Sequence, residues 1–103
     1  MEMNPSAESL VAYARRIEGE QLRTPARKRP FCVSAIGNDL EFTPETSRTP
    51  RLENHTRIAT VLEHFFKTRS FRAAEYATIS FNASYVLGLV QHWQASQKGE
   101  RNG

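Results

Sequence analysis

The sequence predicts an α+β fold in which a helix is followed by a β-hairpin, and three further helices pack on one face of the hairpin. Two patterns carry this prediction. Apolar residues recur at helical spacing in residues 56–67, TRIATVLEHFFK, and they alternate with polar residues along residues 31–43. Each segment therefore has one apolar face to bury, and we expect the helix to cover the hairpin.

The central helix shows a wide apolar stripe. Its apolar residues follow the first one at offsets of 3, 4, 7 and 8 positions, which places them on one side of an α-helix: Ile58, Val61, Leu62, Phe65 and Phe66. Asn54 or Thr56 can accept hydrogen bonds from the free amides of the first turn. The helix is therefore expected to begin near these two residues.

The hairpin is predicted from two alternating segments, residues 31–36 and 40–43. Gly, Asn and Asp at residues 37–39 tolerate the positive φ angles of a tight turn between them. Two strands alone are marginally stable in water, so one face needs a covering helix. The two unpaired edges can pair with a second copy of the chain, which makes a homodimer through the hairpin edge a candidate assembly.

The whole chain is predicted to form one domain, residues 1–103. Its parts are an N-terminal helix (1–20), a basic linker (21–30), the hairpin (31–43), a helical part (54–95) and a flexible tail (96–103). The helical part consists of the central helix, a short helix near residues 71–78 and a last helix near residues 82–93. The predicted core consists of Leu10, Ile17, Phe31, Val33, Leu40, Phe42, Ile58, Val61, Leu62, Phe65, Phe71, Val86, Leu89, Val90 and Trp93.

Gly88 lies in the middle of the last predicted helix. Glycine costs about 1 kcal/mol relative to alanine in a helix interior. Its presence there therefore indicates that another part of the backbone approaches the helix at this point.

Composition excludes several classes of protein. No apolar run approaches the roughly 20 residues that cross a bilayer, and the first residues, MEMNPSAES, lack the basic start and apolar run of a secretion signal. We therefore expect a cytoplasmic protein with no membrane contact. Cys32 is the only cysteine, which excludes an internal disulfide, and its apolar neighbours favour a buried side chain over a reactive thiol.

The net charge is +3, and it is distributed unevenly. Residues 1–30 carry six Arg or Lys against four Glu, whereas residues 31–50 carry one against three acids. The densest positive charge lies in the segment QLRTPARKRP and comes from Arg23, Arg27, Lys28 and Arg29. These side chains either contact phosphates, as basic arms do in many nucleic-acid-binding proteins, or face water in a solvated linker.

Residues 70–93 have the order of a helix-turn-helix motif. A segment rich in small residues precedes a short turn and a second amphipathic helix, whose first residues would meet base edges in the major groove. The motif assigns base contacts to Asn82, Ser84 and Tyr85 and phosphate contacts to Arg69 and Arg72. Two core helices joined by a short loop give the same pattern, and the second helix carries no Arg or Lys before Lys98. Both interpretations stay open.

No catalytic or metal-binding arrangement is visible in the sequence. The three histidines lack the spacing of a zinc motif. Asp39 and Glu41 share a strand face, as in the acidic end of a metal-dependent nuclease strand, but Thr43 stands where such a site has its lysine. We therefore predict a non-catalytic protein without a metal or cofactor.

Two segments of the chain have a characteristic amino-acid sequence: KRPFCVSAIGNDLEFTP at residues 28–44 and SFRAAEYATISFNASYVLGLV at residues 70–90. Together they resemble small uncharacterised bacterial proteins of mobile gene pools, such as integron cassette proteins, most of all in NASYVL at residues 82–87. The resemblance implies a shared fold group and a bacterial, cytoplasmic setting. It assigns no functional residue.

Two functions fit these observations. The first is a small nucleic-acid-binding module that uses the basic linker and the helix-turn-helix-like pair. The alternative is a protein-interaction or structural module that meets a protein partner or dimerises through its hairpin edge. The position of the basic residues separates the two, because a nucleic-acid interface needs the linker arginines, Arg69 and Arg72 on one face with the start of the last helix.

Overall fold

A computed structural model gives the structure of residues 5–102, and it has the predicted α+β fold of a helix, an antiparallel sheet and further helices. Its elements are α1 (Ala7–Arg16), β1 (Leu22–Arg23), β2 (Pro30–Ile36), β3 (Asp39–Pro44), β4 (Arg51–Glu53), α2 (His55–Thr68), a 3-10 helix (Ala73–Tyr76) and α3 (Ala83–Asn102). The strands lie in the order β1-β2-β3-β4, each antiparallel to the next. No helix in this part of the chain is long and apolar enough to span a membrane.

The predicted hairpin is confirmed as β2 and β3. Val33 pairs with Phe42, Ile36 pairs with Asp39, and Gly37 in the turn has a φ of 62°. Buried residues alternate with less buried ones along both strands, as expected for a sheet with helices on one face.

The sheet has four strands, however, and the expected two-stranded sheet with two open edges is wrong. β1 pairs Leu22 with Phe31 along one side of the hairpin, and β4 pairs Glu53 with Leu40 along the other. These outer strands contain two and three residues, which is too short for an alternating pattern to be visible in the sequence.

The predicted basic linker is also more ordered than an exposed connector. Leu22 is buried in β1, and the following residues turn back into β2 around the buried Thr24. The Thr24 amide donates to the Arg29 carbonyl at 3.0 Å, the Lys28 amide donates to the Thr24 carbonyl at 3.1 Å, and the Arg29 amide donates to Thr24 Oγ1 at 3.0 Å. Arg27, Lys28 and Arg29 therefore lie on a closed turn, which we call the β1–β2 turn (residues 24–29), whereas Arg23 lies in β1.

Side chains cap the N-termini of α1 and α2. The Ser6 and Ser9 hydroxyls accept hydrogen bonds from each other's backbone amides in a capping box at the start of α1. Asn54 accepts a 2.9 Å hydrogen bond from the Arg57 amide at the start of α2. The N-terminal helix is shorter than predicted, because α1 ends at Arg16, and residues 1–4 of the prediction lie outside the described residues.

Two boundaries in the C-terminal half are corrected. The short helix predicted at residues 71–78 is a 3-10 helix of four residues. The predicted flexible tail is helical as far as Asn102, because α3 continues past the expected end at residue 95. Residue 103 lies outside the described residues.

The predicted core is confirmed except at Phe71, which is half-buried and packs against the core from its side. The core also contains residues that the prediction missed: Val11, Tyr13, Ala14, Leu22, Tyr76, Ala83 and Leu87. Two of these, Leu22 and Tyr76, belong to short elements whose burial depends on the tertiary fold.

The close approach expected at Gly88 is confirmed. An added Cβ atom there would lie 2.8 Å from the carbonyl oxygen of Arg23 and 3.0 Å from the ring of Phe31. The second turn of α3 therefore lies directly against β1, and this contact places the β1–β2 turn beside the start of α3.

Tyr76 belongs to the 3-10 helix, and its side chain is buried under the surface of the protein. Its ring is fully buried, and its hydroxyl donates a 2.6 Å hydrogen bond to the Ser70 carbonyl. Burial raises the pKa of the Tyr76 hydroxyl above its ordinary value of 10.0. A hydrogen bond with the Thr68 side chain partly offsets this rise, and the nearby Glu75 carboxylate adds to it. The stabilisation from this proton is complete below pH 10, and it is lost as the pH rises from there through the folded-state pKa.

Replacing Tyr76 with phenylalanine is therefore expected to lower the free energy of unfolding by about 1 kcal/mol at neutral pH, because one buried hydrogen bond is lost. The same variant should lose less stability than the wild type between pH 7 and about pH 10.5, because it has no phenol to ionise. Urea unfolding at both pH values measures the two effects. Equal alkaline losses in the two proteins would contradict the assignment.

Candidate functional site

The best candidate site is a cleft of about 430 Å³, bounded by the β1–β2 turn, the segment around the 3-10 helix and the start of α3. It is lined by Thr24, Pro25, Ala26, Arg27, Arg29, Phe71, Arg72, Ala73, Ala74, Ser84 and Tyr85. Five of these residues are site residues that the sequence predicted. We call this feature the arginine cleft.

The β1–β2 turn forms one wall of the arginine cleft. Its hydrogen bonds around Thr24 fix the backbone from which the exposed side chains of Arg27 and Arg29 extend. Lys28, at a φ of 56°, and Arg23 do not line the cleft, and the Arg23 guanidinium donates a 2.9 Å hydrogen bond to the Lys28 carbonyl. Two of the four predicted linker residues therefore belong to the cleft.

Arg72 forms the opposite wall. The Arg72 amide donates to the Ser70 hydroxyl at 3.1 Å, and the Ser70 hydroxyl donates to the Glu75 carboxylate at 2.9 Å. These bonds fix the start of the 3-10 helix and leave the Arg72 side chain exposed. Arg69 is not part of the cleft lining, because it ends α2 with a φ of 56° and its guanidinium lies 5.7 Å from the ring centre of Phe65.

Two aromatic side chains of the cleft lining also contact the core. Tyr85 is half-buried, with its ring centre 5.1 Å from that of Phe31 and 5.7 Å from that of Phe42. Phe71 is half-buried as well, with its ring centre 5.0 Å from that of Phe65. Core packing therefore fixes both rings, and each contributes part of its surface to the cleft.

The charge of the cleft has one sign. Its lining includes three arginines and no Asp or Glu. Ion pairs outside the cleft lining join His55 to Asp39 at 3.3 Å, Lys67 to Glu63 at 3.8 Å, and His92 to Glu20 at 3.5 Å. The three guanidiniums of the cleft are therefore available to an anion, and guanidinium forms paired hydrogen bonds with phosphate oxygens.

The remaining predicted base reader, Asn82, lies outside the cleft. Its side-chain amide donates a 3.5 Å hydrogen bond to the Leu52 carbonyl of β4, and its backbone carbonyl accepts from the Tyr85 amide at 3.0 Å. Asn82 therefore starts α3 and ties it to the sheet.

The helix-turn-helix prediction is wrong in its first helix, which is only the four-residue 3-10 helix. The first turns of α3 are also embedded in the core through Ala83, Val86 and Leu87. Since residues 86–90 are all buried, α3 is enclosed on every side just after the predicted base readers, and it cannot enter a major groove as a recognition helix does. The small side chains of Ala73 and Ala74, which favoured a helix in the sequence, instead leave room for the cleft beside Arg72.

Other polar contacts are structural links between elements. The Tyr13 hydroxyl of α1 lies 2.5 Å from Nδ1 of His92 in α3, and the opposite nitrogen of His92 faces Glu20. The buried carboxylate of Glu53 accepts a hydrogen bond from the Ser80 hydroxyl. No group of three His, Cys, Asp or Glu side chains among the described residues could hold a metal ion.

Comparison of the chain with protein-family models, curated proteins and solved structures found no match. The resemblance to integron cassette proteins stays a prediction from the sequence. The functional interpretation of the arginine cleft rests on its own geometry.

Proposed function

We propose that the protein is a non-catalytic module that binds nucleic acid in the arginine cleft. The observation that carries this proposal is the convergence of Arg27, Arg29 and Arg72 on one cleft that has no carboxylate in its lining. These arginines come from two segments more than 40 residues apart in the sequence, and the fold brings them to the same place. Phosphates of a nucleic-acid backbone are the natural partners of such a group.

The position of the cleft relative to α3 also supports the proposal. Ser84 and Tyr85 line the cleft together with the three arginines, so phosphate contacts and contacts to bases can form on the same face. Arg23, Lys28 and Arg69 are absent from this lining and are not included among the proposed contacts. Within this proposal the protein acts in the bacterial cytoplasm, the setting that the resemblance to integron cassette proteins implies.

Charge removal in the cleft tests the proposal. A variant with Arg27→Ala, Arg29→Ala and Arg72→Ala is expected to bind mixed-sequence DNA at least about tenfold more weakly at low salt. The slope of log affinity against log salt should fall by roughly 1 for each lost phosphate contact. Fluorescence anisotropy with labelled single-stranded and double-stranded DNA across a salt series measures both quantities.

The matched control removes the same charge from another place. Arg48, Arg51 and Arg57 are exposed and lie outside the cleft lining, so their joint replacement by alanine gives the same net charge. We expect this control to keep most of the affinity and most of the salt slope. Equal losses in the two variants would indicate non-specific attraction, and absence of wild-type binding at low salt would refute the proposal.

A protein-interaction module is the second candidate function. It is favoured by two exposed apolar side chains at the β4 side of the sheet, Leu52 at 58% exposure and Phe81 at 89% exposure. The two chain segments that carry them are adjacent, because the side-chain amide of Asn82, which follows Phe81, donates a hydrogen bond to the Leu52 carbonyl. A homodimer through this surface would appear as a doubled mass in light scattering as the protein concentration rises.

A further inference from the structure

We propose that the nucleic acid is single-stranded and that one base enters the arginine cleft against Tyr85 and Phe71. This inference rests on the proposed function and names the form of nucleic acid that the same site takes. It follows from the shape of the cleft, from the position of its aromatic rings and from the polar groups beside them.

The shape of the site is concave. Its volume of about 430 Å³ lies in the range of pockets that enclose small molecules. The bases of a duplex are stacked inside the double helix, and a protein reads only their edges by projecting a helix, a strand or an arm into a groove. Since the start of α3 is embedded in the core, it offers a wall and no projecting reader. An unstacked base, in contrast, can enter a cleft.

The charged and aromatic groups lie at different depths. Arg27, Arg29 and Arg72 are exposed, whereas Tyr85 and Phe71 are half-buried. Such an arrangement places phosphates at the rim and a base on the rings below. Aromatic platforms combined with a positively charged groove are typical of single-strand binding, because every base has a face that can stack.

The rings are held in place before any ligand binds. Tyr85 packs on Phe31 and Phe42, and Phe71 packs on Phe65. Binding therefore does not have to order these side chains, which removes one of the usual costs of association.

Polar groups beside the rings are available to the edge of a base. The hydroxyl groups of Ser84 and Tyr85 make no hydrogen bond to another side chain or to the backbone within the part of the chain that the structure describes. A hydroxyl donates one hydrogen bond and accepts others, so it can meet the edge of any base. The site therefore has little means to select one base, and we expect weak sequence preference.

The experiment compares ligands on the wild-type protein by anisotropy at one salt concentration. The ligands are a labelled 12-nucleotide single strand of mixed sequence, a duplex of the same sequence, a 12-unit abasic strand and adenosine monophosphate as competitor. The single strand is expected to bind roughly tenfold or more tightly than the abasic strand, which keeps the phosphates and lacks the bases. The affinity for the single strand should exceed the affinities for the duplex and for the mononucleotide by a similar factor.

The same comparison is made with Phe71→Leu, which removes an aromatic face at a half-buried position. In this variant the difference in affinity between the single strand and the abasic strand should largely disappear. Its affinity for the abasic strand should be unchanged. Phe66→Leu is the matched control, because Phe66 is also half-buried but does not line the cleft. Thermal unfolding of both variants checks that they are folded under the conditions of binding.

The outcomes separate this inference from the proposed function. If the duplex or the abasic strand binds as tightly as the single strand, the inference is overturned and nucleic-acid binding stands. If adenosine monophosphate displaces the strand at equal concentration, the cleft is a mononucleotide site and the inference is again overturned. If no ligand binds, the proposed function itself fails.

Discussion

Replacing Phe31 with alanine is expected to lower the free energy of unfolding by about 3–5 kcal/mol. The ring of Phe31 is fully buried at the centre of the core, with ring centres 5.9 Å from Phe42 and 5.1 Å from Tyr85. Its removal leaves a cavity between the sheet and α3 that the rigid neighbours cannot fill. Since domains of this size are stable by only about 5–15 kcal/mol, urea unfolding should show a large shift of the midpoint.

The control for this experiment is Leu52→Ala. Leu52 is also an apolar residue of the sheet, but it lies on β4 with 58% of its surface exposed. Its replacement should change the stability by no more than about 0.5 kcal/mol. A loss below about 1 kcal/mol for Phe31→Ala would show that the ring does not occupy the centre of the core.

Replacing Gly88 with alanine is expected to destabilise the protein by roughly 1–3 kcal/mol. In most helix interiors this change stabilises by about 1 kcal/mol, so the expected sign is reversed. The reason is the 2.8 Å approach of the new Cβ atom to the Arg23 carbonyl oxygen, a backbone atom that can move only if β1 moves. Urea unfolding of the variant measures the effect, and any stabilisation would contradict the close contact between α3 and β1.

The control is the reverse change, alanine to glycine, at another position of the same helix. Ala95 is exposed on α3, and Ala95→Gly should cost about 1 kcal/mol through helix propensity alone. The two changes are opposite in chemistry, yet both are expected to destabilise.

Combining Gly88→Ala with Phe31→Leu should reduce the destabilisation caused by the alanine, because the Phe31 ring is the second group that the new Cβ atom meets.

The sequence alone was sufficient to locate the elements in which the apolar pattern repeats several times. α2 repeats its apolar residues at helical spacing from Ile58 to Phe66, and β2 and β3 alternate around a turn with Gly37, so their positions followed from local patterns alone. β1 and β4 contain two and three residues, and they are strands only because the hairpin offers hydrogen-bonding edges to them. Their positions depend on the tertiary fold and leave no periodic signal.

Five of the residues that line the candidate site were predicted from the sequence, but their arrangement was not. Arg27 and Arg29 stood out as a cluster of charge, and Arg72, Ser84 and Tyr85 stood out because of the apparent helix-turn-helix. The error lay in the segment before α3, because a run of alanines is compatible with either an α-helix or a short 3-10 helix. Gly88 indicated a close contact in the sequence, but its partner β1 became known only from the fold.

The contact between Gly88 and Arg23 makes the arginine cleft inseparable from the folded state. A peptide copying residues 21–30 would carry all the charged residues of the β1–β2 turn, but it would lack Arg72, Tyr85 and the surface of α3 that holds the turn in place. Any ligand of the cleft therefore binds the folded chain in preference to the unfolded chain and stabilises the folded state. Each tenfold increase of its concentration above the dissociation constant adds about 1.4 kcal/mol to the stability.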